Sequence, residues 1–108
     1  MDQLNELLKY DIIDIAWASG LIEGEGCFQI TKQSQLTITV GSVDFDIIQR
    51  LYHIFKMGHI THRTLMSSKE LYVWKVTKNK HVKEVLHLIL PFMGKRRSSK
   101  IDELLTFK

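Results

Sequence analysis

A nearly uncharged apolar run that ends in two acids bracketed by glycines sets the firmest limit on what this chain can become. From Ile12 to Ile22 the residues are apolar on nearly every side of a helix, and Glu23-Gly24-Glu25-Gly26 follows at once. A helix with no wet face is one that expects to be buried all round. Ser19, Gly20 and Gly24 remove side-chain bulk about one turn apart, so a second helix can approach there at short backbone separation. Each glycine costs about 1 kcal/mol against alanine in a helix interior, and two of them within five residues point to close packing as the compensation. Glu23 and Glu25 then fall where the helix stops and an alternating strand begins at Cys27-Phe28-Gln29-Ile30. The carboxylates sit at a mouth.

A chain of 108 residues with 44% apolar content is expected to be one domain, residues 1–108. It can build a core, yet it is small enough for dimer burial to help it. The single Cys27 excludes an intrachain disulfide, and no basic start followed by an apolar core suggests a secretory signal. An intracellular protein is expected, whether of a bacterial or phage cytoplasm or of an organelle. No apolar run approaches the roughly 18 residues of a spanning helix, so no membrane partner is expected. The formal charge of +3 hides an asymmetry: residues 1–31 balance at −5 and residues 32–108 at +8. The basic part suits a polyanion, nucleic acid above all.

Leu4, Leu7 and Leu8 have helical spacing and form a short appendage, and either Asp11 or Asp14 can cap the helix that follows. After Gly26 the period changes to two. Phe28 and Ile30 alternate with Gln29, Thr31 and Gln33, then Leu36, Ile38 and Val40 with Thr37, Thr39 and Gly41, which predicts a half-buried hairpin. Its outer face carries amides and hydroxyls, the groups that hydrogen-bond base edges in a major groove wide enough for a two-stranded ribbon. Ordinary solvated strand surface explains the threonines equally well. Asp44 predicts the start of a helix over about Phe45 to Lys56, with Ile47, Ile48, Leu51, Tyr52 and Phe55 as its apolar stripe and Gly58 ending it or turning the chain.

A second hairpin begins at Ile60, turns through Ser67-Ser68 and returns over Leu71 to Thr77. Tyr72, Trp74 and Val76 take one face, while Val73, Lys75 and Thr77 join Thr61 and Arg63 on the outer one. Asn79 can cap a third helix with Val82, Val85, Leu86, Ile89 and Leu90 as its stripe, closed by Pro91. Lys95 to Lys100 is a dense basic run suited to phosphates, and Ile101, Leu104, Leu105 and Phe107 suggest a last amphipathic helix. His53, His59 and His62 lack zinc-site spacing and read as surface or strand residues.

At Ala18-Ser19-Gly20-Leu21-Ile22-Glu23-Gly24-Glu25-Gly26 the chain resembles the LAGLIDADG homing endonucleases, whose name spells the nine-residue consensus. Four letters match outright and three more are conservative, with Glu in place of Asp at both acidic positions. The family's order of strands and helices can be read over residues 12 to about 100. The nine residues alone also fit a Gly-rich helix end running into a hairpin with solvated glutamates.

The resemblance implies an α+β fold, αββαββα, whose four-stranded antiparallel saddle sheet carries helices on one face. With one motif per chain it looks like the homodimeric branch, packed through Ser19, Gly20 and Glu23. It implies metal-dependent hydrolysis of phosphodiesters in a specific, roughly palindromic double-stranded DNA site. Glu25 matches the catalytic acid, and Glu25 with the Gly24 carbonyl would hold Mg²⁺ or Mn²⁺. Lys95 or Arg96 matches the electrostatic position after Pro91-Phe92. Gln29, Thr31, Gln33, Thr37, Thr39, Thr61, Arg63, Val73, Lys75, Thr77 and Arg97 are then the DNA-contacting set. Ser42 falls where the family often has Gln and is a poorer substitute. A non-cleaving nucleic-acid-binding protein on the same fold, an intron maturase or a DNA-binding regulator, is the competing function. A structural dimerisation module would explain the glycines but not the charge asymmetry.

Overall fold

The computed structural model describes residues 9–107, so the leucine-spaced appendage lies outside the described residues. Asp11 starts the first helix: its carboxylate accepts the Ile13 N–H at 2.8 Å, which settles the cap on Asp11 rather than Asp14. This helix, α1 (Ile12–Glu25), passes directly into β1 (Gly26–Ile30) with no intervening loop. A Cβ at Gly26 would lie 2.6 Å from the Ile22 carbonyl oxygen, so only glycine lets the strand leave the helix this tightly.

The remaining elements are β2 (Leu36–Ser42), α2 (Phe45–Phe55), β3 (His59–Thr64), β4 (Glu70–Val76), α3 (Asn79–Ile89), a short 3-10 turn at Leu90–Phe92 and α4 (Lys95–Leu105). The strands form one antiparallel sheet in the order β1-β2-β4-β3. This is the expected α+β architecture with a fourth helix at its end. Strand alternation turns Phe28, Ile38, Val40, Trp74 and Val76 toward the helices, where Ile48, Leu51, Val82, Val85, Leu86 and Ile89 complete the core. Trp74 fills the centre. It is fully buried, lies near-parallel to Phe55 at 5.5 Å, and donates its indole N–H to the Met57 carbonyl at 2.8 Å.

Three local expectations change. First, α1 is covered on one side only: Ile15, Ala18, Ser19 and Ile22 face the core, while Ile12 and Ile13 are 67% and 72% exposed. The sheet and the helices α2 and α3 all meet α1 from the same side. Second, α2 stops at Phe55, because Lys56 takes a left-handed conformation (φ 56°) and ends the helix. Asp44 precedes that helix without a side-chain cap, and the Ser42 hydroxyl instead accepts the Asp44 N–H at 3.0 Å. Third, Asn79 is the first residue of α3 and not its cap. Its amide ties α3 to the first hairpin, accepting from the Leu36 N–H at 2.8 Å and donating to the Ser34 carbonyl at 3.4 Å. A strand-end N–H needs such a partner once it leaves water. No described helix is long and apolar enough to cross a membrane.

Candidate functional site

The end of α1 and the start of α4 meet at one hydrogen bond. Glu23 accepts the Gly94 N–H on Oε1 at 3.2 Å, while its Oε2 is buried with no hydrogen-bond partner. Two residues on, Glu25 is exposed and makes no hydrogen bond or ion pair among the described residues. The two acids therefore divide their work: Glu23 holds the scaffold and Glu25 is free for a ligand. Gly24 lies between them, exposed, and its carbonyl belongs to the set at a helix C-terminus without intrahelical partners. The same terminus carries the negative end of the helix dipole, which favours a cation.

The first turn of α4 has the opposite character. Lys95, Arg96 and Arg97 occupy it with no acid among them. Cations at a helix N-terminus work against the dipole, and a sequence that breaks a local rule tends to do so at a functional site. Lys95 and Arg96 are exposed. Arg97 is folded back, its guanidinium 5.4 Å from the centre of the Phe28 ring and its Nε buried without a partner. Between β1 and α4 runs a groove of about 450 Å³ bordered by Cys27, Phe28, Arg96, Arg97, Lys100 and Glu103. Lys100 is paired with Glu103 at 3.5 Å, leaving the arginines to dominate the groove's charge.

No group of three His, Cys, Asp or Glu side chains among the described residues converges as a metal cage. The end of α1 brings one unengaged carboxylate, Glu25, and one helix-end carbonyl, Gly24. That hard-oxygen set fits Mg²⁺ or Mn²⁺, since Mg²⁺ is usually held by one or two carboxylates, substrate phosphates and several waters.

The outer face of the sheet follows from its register. Cys27 faces Thr39, Thr39 faces Lys75 and Lys75 faces His59, one row across all four strands. Gly41, Val73 and Thr61 form the row on one side of it, with Leu71 opposite Arg63 beyond, and Gln29 opposite Thr37 lies on its other side. Gln29, Thr39, Thr61, Arg63, Val73 and Lys75 are thus brought onto one surface. Thr37 is on it by register but only 4% exposed. Thr77 lies just past the end of β4. Thr31 and Gln33 are not strand residues: Gln33 is in the turn, and Thr31 closes it by accepting the Gln35 N–H on Oγ1 at 3.1 Å and the Ser34 N–H on its carbonyl at 3.0 Å. Cys27 and His59 were missed by the sequence reading, although the parity of Gln29 and Thr61 already places them on this face.

The uncovered side of α1 carries Ile13, Ala16, Gly20 and Gly24, all exposed. A Cβ added at Gly20 or Gly24 would meet nothing within 4 Å. Of the residues expected at a dimer contact, Gly20 is on this open side. Ser19 is 1% exposed within the chain's own core, and Glu23 is turned toward Gly94.

A model of the LAGLIDADG endonuclease family matches residues 18–108. No curated protein gives a significant match. Among solved structures, the homing endonuclease I-CvuI in complex with the I-CreI target superposes with a TM-score of 0.68 at 17% identity, over 86% of this chain and 64% of that one. The archaeal intron-encoded homing endonuclease I-Vdi141I complexed with DNA gives 0.65 at 15% identity, over 84% and 65%. The LAGLIDADG meganuclease I-AabMI bound to uncleaved DNA gives 0.68 at 20% identity, over 84% of this chain and 34% of that one. The chain therefore spans a little under two thirds of I-CvuI and a third of I-AabMI. At these identities the likeness is one of fold.

Proposed function

The chain belongs to the LAGLIDADG endonuclease family, and from that premise we propose that it is a homodimeric, Mg²⁺- or Mn²⁺-dependent endonuclease that hydrolyses phosphodiesters in a specific, roughly palindromic DNA duplex. The observation that carries this reading is Glu25: an exposed, unengaged carboxylate at a helix end whose neighbour Glu23 is bonded to the amide that opens the basic first turn of α4.

Glu25 and the Gly24 carbonyl would hold the metal. When bound, it supplies Lewis-acid stabilisation of the phosphate and a water nucleophile at neutral pH. Lys95 and Arg96 neutralise charge that develops on phosphate oxygens, a contribution that grows where water is excluded. The outer sheet face reads base edges through Gln29, Thr39, Thr61 and Lys75, with Arg63 and the α4 arginines on backbone phosphates. These 108 residues carry one motif and one such acid, so in the homodimer proposed here the second strand is cut by the second copy. The open glycine side of α1 provides the contact, and the two Glu25 carboxylates then face each other across the dyad. Like charges held close resist joint ionisation unless cations neutralise them, which favours metal at this point.

A pool of random duplexes incubated with the full chain, with and without Mg²⁺ or Mn²⁺, tests the reading. Recurrent cut ends that depend on metal are the expected result. Tight binding to one duplex with both strands intact in either metal would overturn it in favour of a non-cleaving maturase or regulator. Ser42 is what favours that second reading: its hydroxyl oxygen already accepts the Asp44 N–H at the site's margin.

A further inference from the structure

Three strand spacings from Cys27, about 14 Å, the sheet ends in a second basic feature that the proposed chemistry does not use. The turn after α2 and the turn after β4 enclose a pocket of about 260 Å³ bordered by Lys56, Gly58, His59, Val76, Lys78 and His81. Its lining contains no acid. None of Lys56, His59, Lys78 and His81 makes an ion pair among the described residues.

The pocket is built rather than incidental. Its wall is set by Lys56 in the left-handed region and by Gly58 at φ +82°, where a Cβ would lie 2.5 Å from the Lys75 carbonyl oxygen. The Met57 carbonyl between them is held by the buried Trp74 indole at 2.8 Å. A turn whose backbone is fixed before the ligand arrives loses less on binding, since only the exposed cationic side chains remain to be ordered. His59 belongs to this rim and also ends the row Cys27–Thr39–Lys75–His59 on the outer face. The rim therefore continues the base-reading surface around its far edge.

We infer that the Lys56–His59–Lys78–His81 pocket seats a backbone phosphate of duplex DNA on the outer flank of the site, beyond the bases read by the sheet. This rests on the DNA-binding part of the proposed function and adds a separate contact to it. Lys56 and Lys78 are exposed, so Lys56→Gln/Lys78→Gln is tolerated by the fold, and an unchanged thermal midpoint checks this. Each phosphate contact contributes nearly one unit to the slope of log K against log salt, so the double variant on a random duplex of about 40 bp loses nearly one unit. The loss vanishes when the duplex is shortened until it no longer reaches the far edge. Lys78→Glu, which reverses the charge where Lys78→Gln only removes it, lowers affinity for the long duplex more than Lys78→Gln does.

A double variant with the same slope as a wild type that binds duplex DNA overturns the pocket alone and leaves the endonuclease reading standing. A double variant that keeps its DNA slope and loses binding to a duplex RNA of the same length overturns the assignment to DNA. If the wild type itself binds no duplex at low salt, both the endonuclease reading and the pocket's ligand fall together.

Discussion

The Gly94 amide donates to Glu23 across 71 residues of sequence, and a Cβ on residue 94 would come within 2.8 Å of the accepting oxygen. Gly94→Ala is thus expected to drive the Glu23 carboxylate aside and break this bond while costing the fold only about 1 kcal/mol, an ordinary value for a point change. The tie between the end of α1 and the basic first turn of α4 is then lost, and misplacement on the scale of 1 Å is enough for up to a hundredfold loss of cutting. Glu23→Gln keeps an acceptor oxygen and should cut nearly normally. Single-turnover rates beside thermal midpoints separate the two variants.

Glu25→Gln retains size and hydrogen-bonding capacity but removes the charge that holds a hard cation. Cutting should collapse with duplex affinity preserved. A mixed dimer carrying one altered subunit should nick one strand rather than sever both, which a supercoiled plasmid reports as open circles without linear product.

Gly20→Leu separates helix stability from association. Leucine is about 1 kcal/mol better than glycine inside a helix, and nothing lies within 4 Å of the added Cβ in the single chain. The variant should therefore stay folded while sedimenting as a monomer where the unaltered protein is a dimer, and its thermal midpoint should no longer rise with protein concentration. A variant that still sediments as a dimer would place the contact elsewhere.

Hydrogen bonds from His62 (2.6 Å) and Thr64 (2.9 Å) hold the Glu70 carboxyl below its ordinary value of 4.5. A depressed folded-state pKa means that the stabilisation is present above about pH 4.5 and is lost as pH falls through the lowered value. His62→Ala should raise the Glu70 midpoint toward 4.5 in a carboxyl-detected NMR titration. Solvent reaches both side chains, His62 67% and Glu70 32% exposed, so the accompanying change in stability is small.

Much of this architecture was legible because the periodicity changes cleanly. The switch to alternation after Gly26 marks β1, and the stripes through Ile48, Leu51 and Phe55 and through Val82, Val85, Leu86 and Ile89 mark two core-facing helices. What escaped has physical causes. A run as uniformly apolar as Ile12 to Ile22 cannot announce which side it buries, so Ser19 looked like a neighbour of Gly20 although the helix turns it into the core. Asn79 stands where a cap belongs, and only the tertiary approach of Leu36 recruits its amide elsewhere. Thr31 and Gln33 obey the alternation of β1, yet the left-handed Ser34 (φ 62°) turns the chain before they can join the strand. The resemblance already gives Glu23 a structural place and Glu25 the chemical one, but what Glu23 holds was invisible, because its partner is an amide 71 positions away.

The direct join of α1 to β1 at Gly26 also governs how target preference can be altered. With no slack between the helix that carries Glu25 and the strand that begins at Gly26, the two move as one rigid lever. Side chains at Thr39, Thr61 and Lys75 hang from other strands, so they can be exchanged to retune recognition without tilting that lever. Cys27, two residues beyond Glu25, has no such insulation: a bulkier side chain wedged against DNA there would transmit its strain straight into the carboxylate. If the outer face reads DNA as proposed, reprogramming is therefore safest at the distal strands and most hazardous on β1, at Cys27 and Gln29, where reading and cutting share a backbone.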